Sequence, residues 1–282
     1  MAQIGSSIDR LRHKLDHRLL LTKKSLVQRL VRRTSGTSSH STAFVAGAQR
    51  SGTNMVMDML ERSGSTEVYH ERDPRAFERY ELRSDDVLKT LLKRSPAPLV
   101  VFKALCESQD LADLLQRFEP ARAVWVYRHY EPVVRSHVRK WRGMPDTMRR
   151  LAADENATHG WRGRGMSADT RALIRDCYHD ALTNESACAL FWYMRNILFF
   201  EQGLDCDDRT LLIGYDRLVA DPHAGARQLF AFLDLDYKPS VCDFVSAEIS
   251  SSVPTGDLPI DPRIRAACDD LLARLESVVA AG

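Results

Sequence analysis

Ala43-Phe44-Val45-Ala46-Gly47-Ala48-Gln49-Arg50-Ser51-Gly52-Thr53-Asn54 is the stretch on which the reading of this chain turns. A short apolar run ends in Gly47, a second glycine follows at Gly52, and the residues beyond it keep a helical pattern to about Leu60. The pattern predicts a strand over about 42–47, a phosphate-cradling loop, and a helix over about 53–63. Backbone N–H groups of such a loop, with the positive end of the helix dipole, make an anion site. The spacing is the G-x4-G of a P-loop. A nucleoside-triphosphate loop, however, continues with Lys and then Ser or Thr, for the phosphates and Mg²⁺. Here Gly52 is followed by Thr53 and Asn54, and the cation sits inside the loop as Arg50. A guanidinium at that place can grip a phosphate in a planar, bidentate way. A glycine-bearing βα turn with no ligand is the alternative that the loop by itself leaves open.

Outward from the loop, Leu99-Val100-Val101-Phe102 and Ala121–Tyr127 are continuous apolar runs, as expected of parallel strands buried on both faces. They deliver Lys103 and Arg128. Residues 210–215 read as a fourth strand. Three strands thus end in cations: Arg50, Lys103 and Arg128. Open parallel sheets bind ligands outside the carboxyl ends of their strands, so convergent cations there point to a polyanion. Glu131-Pro132 opens a helix carrying Ser136 and, further on, Trp141; His137 and Lys140 read as solvated residues of it. Residues 66–74 read as a polar loop leaving the first βα unit, and 75–94 as helical. Residues 142–185, with Trp161-Arg162-Gly163-Arg164-Gly165 in their middle, read as a mobile or substrate-covering insertion. Residues 187–202 read as an apolar core helix, Asp221-Pro222 as a capped helix start, and about 262–279 as a last helix. The fold class is α/β: three layers, a central mostly parallel sheet flanked by helices, of P-loop type.

The 282 residues carry a net charge of +2, which makes no case for nucleic acid as a partner. The charge is uneven. Nine basic residues against Asp9 and Asp16 give residues 1–40 a net +7 and leave −5 for the rest. Leu11, Leu15, Leu19, Leu20, Leu26, Leu30 and Val31 recur among those bases at roughly helical spacing. Residues 1–40 therefore form a basic amphipathic segment, either packed on residues 41–282 or in peripheral contact with an anionic membrane face. The six cysteines are scattered, with no C-x-x-C pair, and read as reduced core residues. No apolar run is long enough to span a membrane, and no signal-peptide core is present, so a cytoplasmic protein, possible inner-face association included, is the expectation.

On these residues the chain resembles the PAPS-dependent sulfotransferases, where PAPS is 3′-phosphoadenosine-5′-phosphosulfate. Gly47 to Thr53 looks like the family's 5′-phosphosulfate loop, and Val126-Tyr127-Arg128 with Ser136 eight residues on looks like its 3′-phosphate motif. Tyr215-Asp216-Arg217-Leu218-Val219-Ala220-Asp221-Pro222 is similar to a third block. The resemblance implies that Arg50, Ser51, Gly52, Thr53 and Asn54 cradle the 5′-phosphosulfate, and that Arg128 and Ser136 hold the 3′-phosphate with Tyr215 beside it. It implies Lys103 near the bridging oxygen. Glu71, 21 residues after Arg50, falls where related members carry a catalytic glutamate, with His70 next to it as the other candidate base. His129-Tyr130 stands where the family often has Asn-Pro. No Arg-Lys-Gly occurs near the C-terminus, and Ser250–Ser252 stand as weak substitutes for it. No metal is implied.

The expected reaction is in-line sulfuryl transfer from PAPS to a hydroxyl or amine of a small-molecule, glycan or lipid acceptor. Two other classes stay open. A P-loop kinase or NTPase would want the missing Lys. A non-catalytic binding protein would keep the fold and bind neither PAPS nor its desulfated product.

Overall fold

The computed structural model describes residues 40–153, 160–245 and 257–281, together with Lys24 and Gln28. Its centre is a five-stranded sheet of β1 (Ser41–Gly47), β2 (Thr66–Tyr69), β5 (Leu99–Lys103), β6 (Ala121–Tyr127) and β7 (Thr210–Gly214), in the order β2-β5-β1-β6-β7. Every pairing is parallel. A short antiparallel hairpin, β3 (Phe77–Glu78) and β4 (Glu81–Leu82), stands apart from it.

Alternation along the strands explains the three layers. Phe44, Phe102 and Trp125 point into one apolar cluster; Ala43, Val45, Val101 and Val124 point into another on the opposite face. Both faces are dry, which is why these strands read as unbroken apolar runs. The helices are α1 (Thr53–Glu61), α2 (Asp85–Arg94), α3 (Leu111–Arg117), α4 (Tyr130–Lys140), α5 (Met144–Ala153), α6 (Gly160–Gly163), α7 (Ala168–Cys177), α8 (Asn184–Asn196), α9 (Leu198–Glu201), α10 (Tyr215–Ala220), α11 (Pro222–Phe232) and α12 (Pro262–Ala281). The Asp221 side chain accepts from Ala224 N at 2.9 Å, capping α11 with Pro222 in its first turn, as expected from the sequence. His129 Nδ1 caps α4 by accepting from Glu131 N at 3.3 Å, so the departure from Asn-Pro leaves the helix start intact.

Three expectations change. Residues 66–69, read as loop, form edge strand β2. Residues 75–94, read as helical throughout, hold the hairpin and then α2, because Arg79 and Tyr80 both take left-handed backbone (φ 51° and 72°) and reverse the chain. The described part of 142–185 is built of α5, α6 and α7, with Met148, Leu151 and Ile174 buried in the core. Most of residues 1–40 lie outside the described residues. Of the three that are described, His40 Nδ1 lies 2.9 Å from Ala97 O, Lys24 donates to Glu61 O at 2.6 Å and Thr66 Oγ1 at 3.1 Å, and Gln28 donates to the carbonyls of Gly64 (2.7 Å) and Thr66 (2.8 Å). No helix among the described residues is long and apolar enough to cross a membrane.

Candidate active site

The connection leaving β1 runs toward β2, and the one leaving β6 runs toward β7, so the carboxyl edge diverges between β1 and β6. The loop after β1 sits there. Gly47 (φ 135°) lies against β6: a Cβ would fall 2.2 Å from Val126 O. Gly52 (φ 93°) lies against Tyr215, where a Cβ would fall 1.9 Å from ring atom Cδ2. No other residue fits at either place. Arg50 is also left-handed (φ 71°), a strain that a non-glycine residue carries at a cost of about 1–2 kcal/mol.

Helix α4 holds the strained residue from two sides. Arg50 Nε donates to Ser136 Oγ at 2.8 Å, and His137 Nε2 lies 3.1 Å from Gln49 O. Because a carbonyl can only accept, that ring nitrogen carries the proton. Burial pushes His137 down to about 4, so the ring is neutral. The expectation of a solvated His137 is therefore wrong. The residue is wholly buried, on the same helical stripe as Tyr130, Val133 and Val134, and that stripe was the signal for it.

Arg128 follows β6. Its carbonyl accepts from Trp192 Nε1 at 2.9 Å, and its guanidinium lies 4.5 Å above the Tyr215 ring. Tyr215, at the start of α10, thus touches both Gly52 and Arg128. Asp216 Oδ1 is 3.5 Å from Arg128 Nε, yet not in hydrogen-bond geometry. Arg128 Nε and Ser51 Oγ are buried with no hydrogen-bond partner among the described residues. Buried donors without partners cost about 1–3 kcal/mol each, and both belong to residues assigned to an anion from sequence.

The third cation, Lys103, is 2% exposed and closes the other side of the loop. Its Nζ is 2.6 Å from Glu71 Oε2 and donates to Asn54 Oδ1 at 2.5 Å. Glu71 reaches it because β2 and β5 pair with Tyr69 opposite Phe102. Burial pushes the Glu71 carboxyl up, but the ion pair and hydrogen bond with Lys103 outweigh it and hold Glu71 below its ordinary value. Burial lowers Lys103, and Glu71 offsets only part of that. His70 has another partner. Its Nε2 is 3.7 Å from Glu61 Oε2; although burial opposes its charge, Glu61 and Asp58 raise it above the ordinary value. Asp58, Glu61 and His70 bring ligand-type atoms within 4.8 Å of one another, a grouping that could hold a metal ion and that the sequence reading did not foresee.

Most of the residues singled out from sequence therefore meet around one loop: Arg50 with Ser136, Arg128 with Tyr215 and Gly52, and Glu71 with Lys103 and Asn54, while Thr53 is buried in the first turn of α1. Ser250–Ser252 lie outside the described residues.

Sheet order and flanking helices define a three-layer α/β protein with a parallel central sheet. No family model matches the chain, and no curated protein matches it. Among solved structures it is similar to the sulfotransferase domain from the curacin biosynthetic pathway, with a TM-score of 0.56 at 14% identity, over 84% of this chain and 99% of that domain. It is also similar to the sulfotransferase domain from the Synechococcus PCC 7002 olefin synthase (TM-score 0.47, 13% identity, 84% of this chain and 96% of that one). A sulfotransferase from Alicyclobacillus acidocaldarius gives 0.48 at 17%, over 86% and 96% of the two chains. At 14% identity the likeness to the curacin domain is one of fold, and the fold is that of the sulfotransferase domains.

Proposed function

We propose that this chain is a sulfotransferase that moves the sulfuryl group of PAPS to a hydroxyl or amine acceptor, releasing adenosine 3′,5′-bisphosphate. One observation carries the reading. The two buried donors left without partners around the loop, Ser51 Oγ and Arg128 Nε, belong to the two motifs that the resemblance assigns to opposite ends of that donor. Ser51, Gly52, Thr53 and Asn54 would take the 5′-phosphosulfate with Arg50. Arg128 and Ser136 would take the 3′-phosphate, with Tyr215 between the two groups. In this scheme PAPS supplies the activated sulfuryl group, and no metal has a part.

The chain's own groups divide the remaining work. Lys103 and Arg50 supply positive charge where the leaving phosphate oxygen develops its own. Removing one such preorganised donor costs on the order of 3 kcal/mol, or about a hundredfold or more in rate. Glu71 is ionised at neutral pH and takes the acceptor's proton, a role worth about 10²–10⁴-fold. While it is bonded to Lys103 it is a weak base. Transfer of that lysine to the leaving oxygen would release the carboxylate when it is needed.

The test is calorimetric. Arg128→Ala should weaken adenosine 3′,5′-bisphosphate binding about 10–100-fold, and Ser136→Ala about 3–10-fold, from the usual strengths of charged and neutral hydrogen bonds. Unchanged affinity in both variants, or binding of ATP–Mg²⁺ in preference to the bisphosphate, sinks the proposal.

A further inference from the structure

Helix α4 brings two consecutive side chains to the loop after β1, Ser136 and His137, and the second takes no part in the transfer chemistry. His137 is wholly buried among aromatic rings. Its ring centroid lies 4.8 Å from that of Trp141, near edge-on, and 5.9 Å from that of Phe191. A phenylalanine would fill such a place by packing. The imidazole carries two polar atoms into it instead. Nδ1 has no hydrogen-bond partner among the described residues, and Nε2 donates to the Gln49 carbonyl at 3.1 Å. A buried polar atom left unpaired is unfavourable, so the imidazole is a costly choice for packing. What it adds over a phenyl ring is the bond to Gln49 O.

That bond acts on the loop through one peptide plane. Among the described residues the cis peptide bond is Glu119–Pro120, so the bond between Gln49 and Arg50 is trans. In a trans peptide the carbonyl and the following N–H point opposite ways. With the Gln49 carbonyl held toward α4, the Arg50 N–H is turned away from α4. The same plane leads into Arg50, whose φ of 71° is one that an arginine takes only under restraint. One anchor is the Arg50 side chain on Ser136, and the other is the peptide before it on His137. Strained backbone of this kind persists only where its surroundings over-determine it. Without the second anchor the peptide plane is free to turn, and the loop loses the backbone setting that leads on to Ser51 and Gly52.

We propose that His137 is a positioning residue for the 5′-phosphosulfate seat: by holding the Gln49 carbonyl it keeps the loop in its left-handed form, so that the loop's N–H groups are set before the anion arrives. Donors fixed in advance need no reorganisation when charge reaches them, which is where such a bond gains its effect. His137 touches neither donor nor acceptor and moves no proton. Its neutral state suits the task, because burial pushes the ring down to about 4 and the Nε2–H bond is the same across the neutral range. This assignment deepens the sulfotransferase reading and rests on it for the identity of the anion.

Two substitutions separate the hydrogen bond from the packing. H137F keeps an aromatic ring and removes the donor; H137Q removes the ring and keeps an N–H donor at a similar reach. Calorimetry on the intact chain, with adenosine 5′-phosphate and adenosine 3′-phosphate as probes, reads the two ends of the site apart. Affinity for the 5′-phosphate should fall about 3–10-fold in H137F and stay within about twofold of the wild type in H137Q. Affinity for the 3′-phosphate should be unchanged in both. A general loss of structure would weaken both probes alike. Wild-type affinity for the 5′-phosphate in H137F, an equal fall for the two probes, or a fall in H137Q as large as in H137F overturns the positioning role and leaves the sulfotransferase reading in place. If H137Q fails to fold, the split between the two probes in H137F decides by itself. A wild type that binds neither probe nor adenosine 3′,5′-bisphosphate removes both the role and the reading.

Discussion

Glu71 and His70 are adjacent in the chain and lie in opposite electrostatic surroundings. Glu71 is held down by Lys103 against the effect of burial, and His70 is held up by Glu61 and Asp58 against the same effect. That contrast separates the two candidate bases without a mutation. A base must be unprotonated, so kcat/KM falls as pH drops through its pKa in the free enzyme. With Glu71 as base, the acid limb lies below 4.5; with His70, it lies above 6.5. The alkaline limb should come below 10.5 as Lys103, lowered by burial, loses its proton. A pH–rate profile with its acid limb above 6.5 would move the role to His70. Glu71→Gln should lower kcat about 10²–10⁴-fold while leaving bisphosphate affinity nearly as it was.

Among the elements, the hairpin of β3 and β4 is the most strained piece near the site. Arg79 and Tyr80 form its two-residue turn, both with positive φ, where Asn-Gly is the usual choice. Replacing them with Asn-Gly should raise stability by about 1–2 kcal/mol in urea unfolding, less the exposed contact of Arg72 over the Tyr80 ring. No gain would mean that other contacts relieve the turn. The same hairpin shows why part of the fold was not legible. β1, β5, β6 and β7 announced themselves because both faces are buried. β2 did not: it is a four-residue edge strand with Glu67 half-exposed in its middle, and only pairing with β5 makes it a strand. The reversal at Arg79-Tyr80 carries no glycine, proline, asparagine or aspartate, so it left no mark in the sequence. The loop and the two arginines were readable because their chemistry is local. The grip of His137 on Gln49 and the bonds of Arg195 to Leu105 and Gln109 were not, since both arise from tertiary contact.

Across the whole molecule, parallel pairing converts sequence distance into a single edge. Lys103, Arg50 and Arg128 lie at or just past the ends of three adjacent strands, β5, β1 and β6, with helices on both faces of the sheet. Gln28 is buried and bonded to two carbonyls at the entrance of β2. Gln28→Ala leaves both carbonyls without that partner and should cost about 1–3 kcal/mol in chemical denaturation. A change below about 0.3 kcal/mol would show that water replaces the amide at no cost.

The seam between β2 and β5 has one more consequence. Only this edge strand carries the carboxylate to the ammonium, so fraying of four residues would separate them while the interior stayed intact. Gentle warming should therefore silence turnover before the near-ultraviolet dichroism of the buried tryptophans changes. Amide exchange at Val68 and Tyr69 should keep pace with the lost activity, ahead of the melting of the rest.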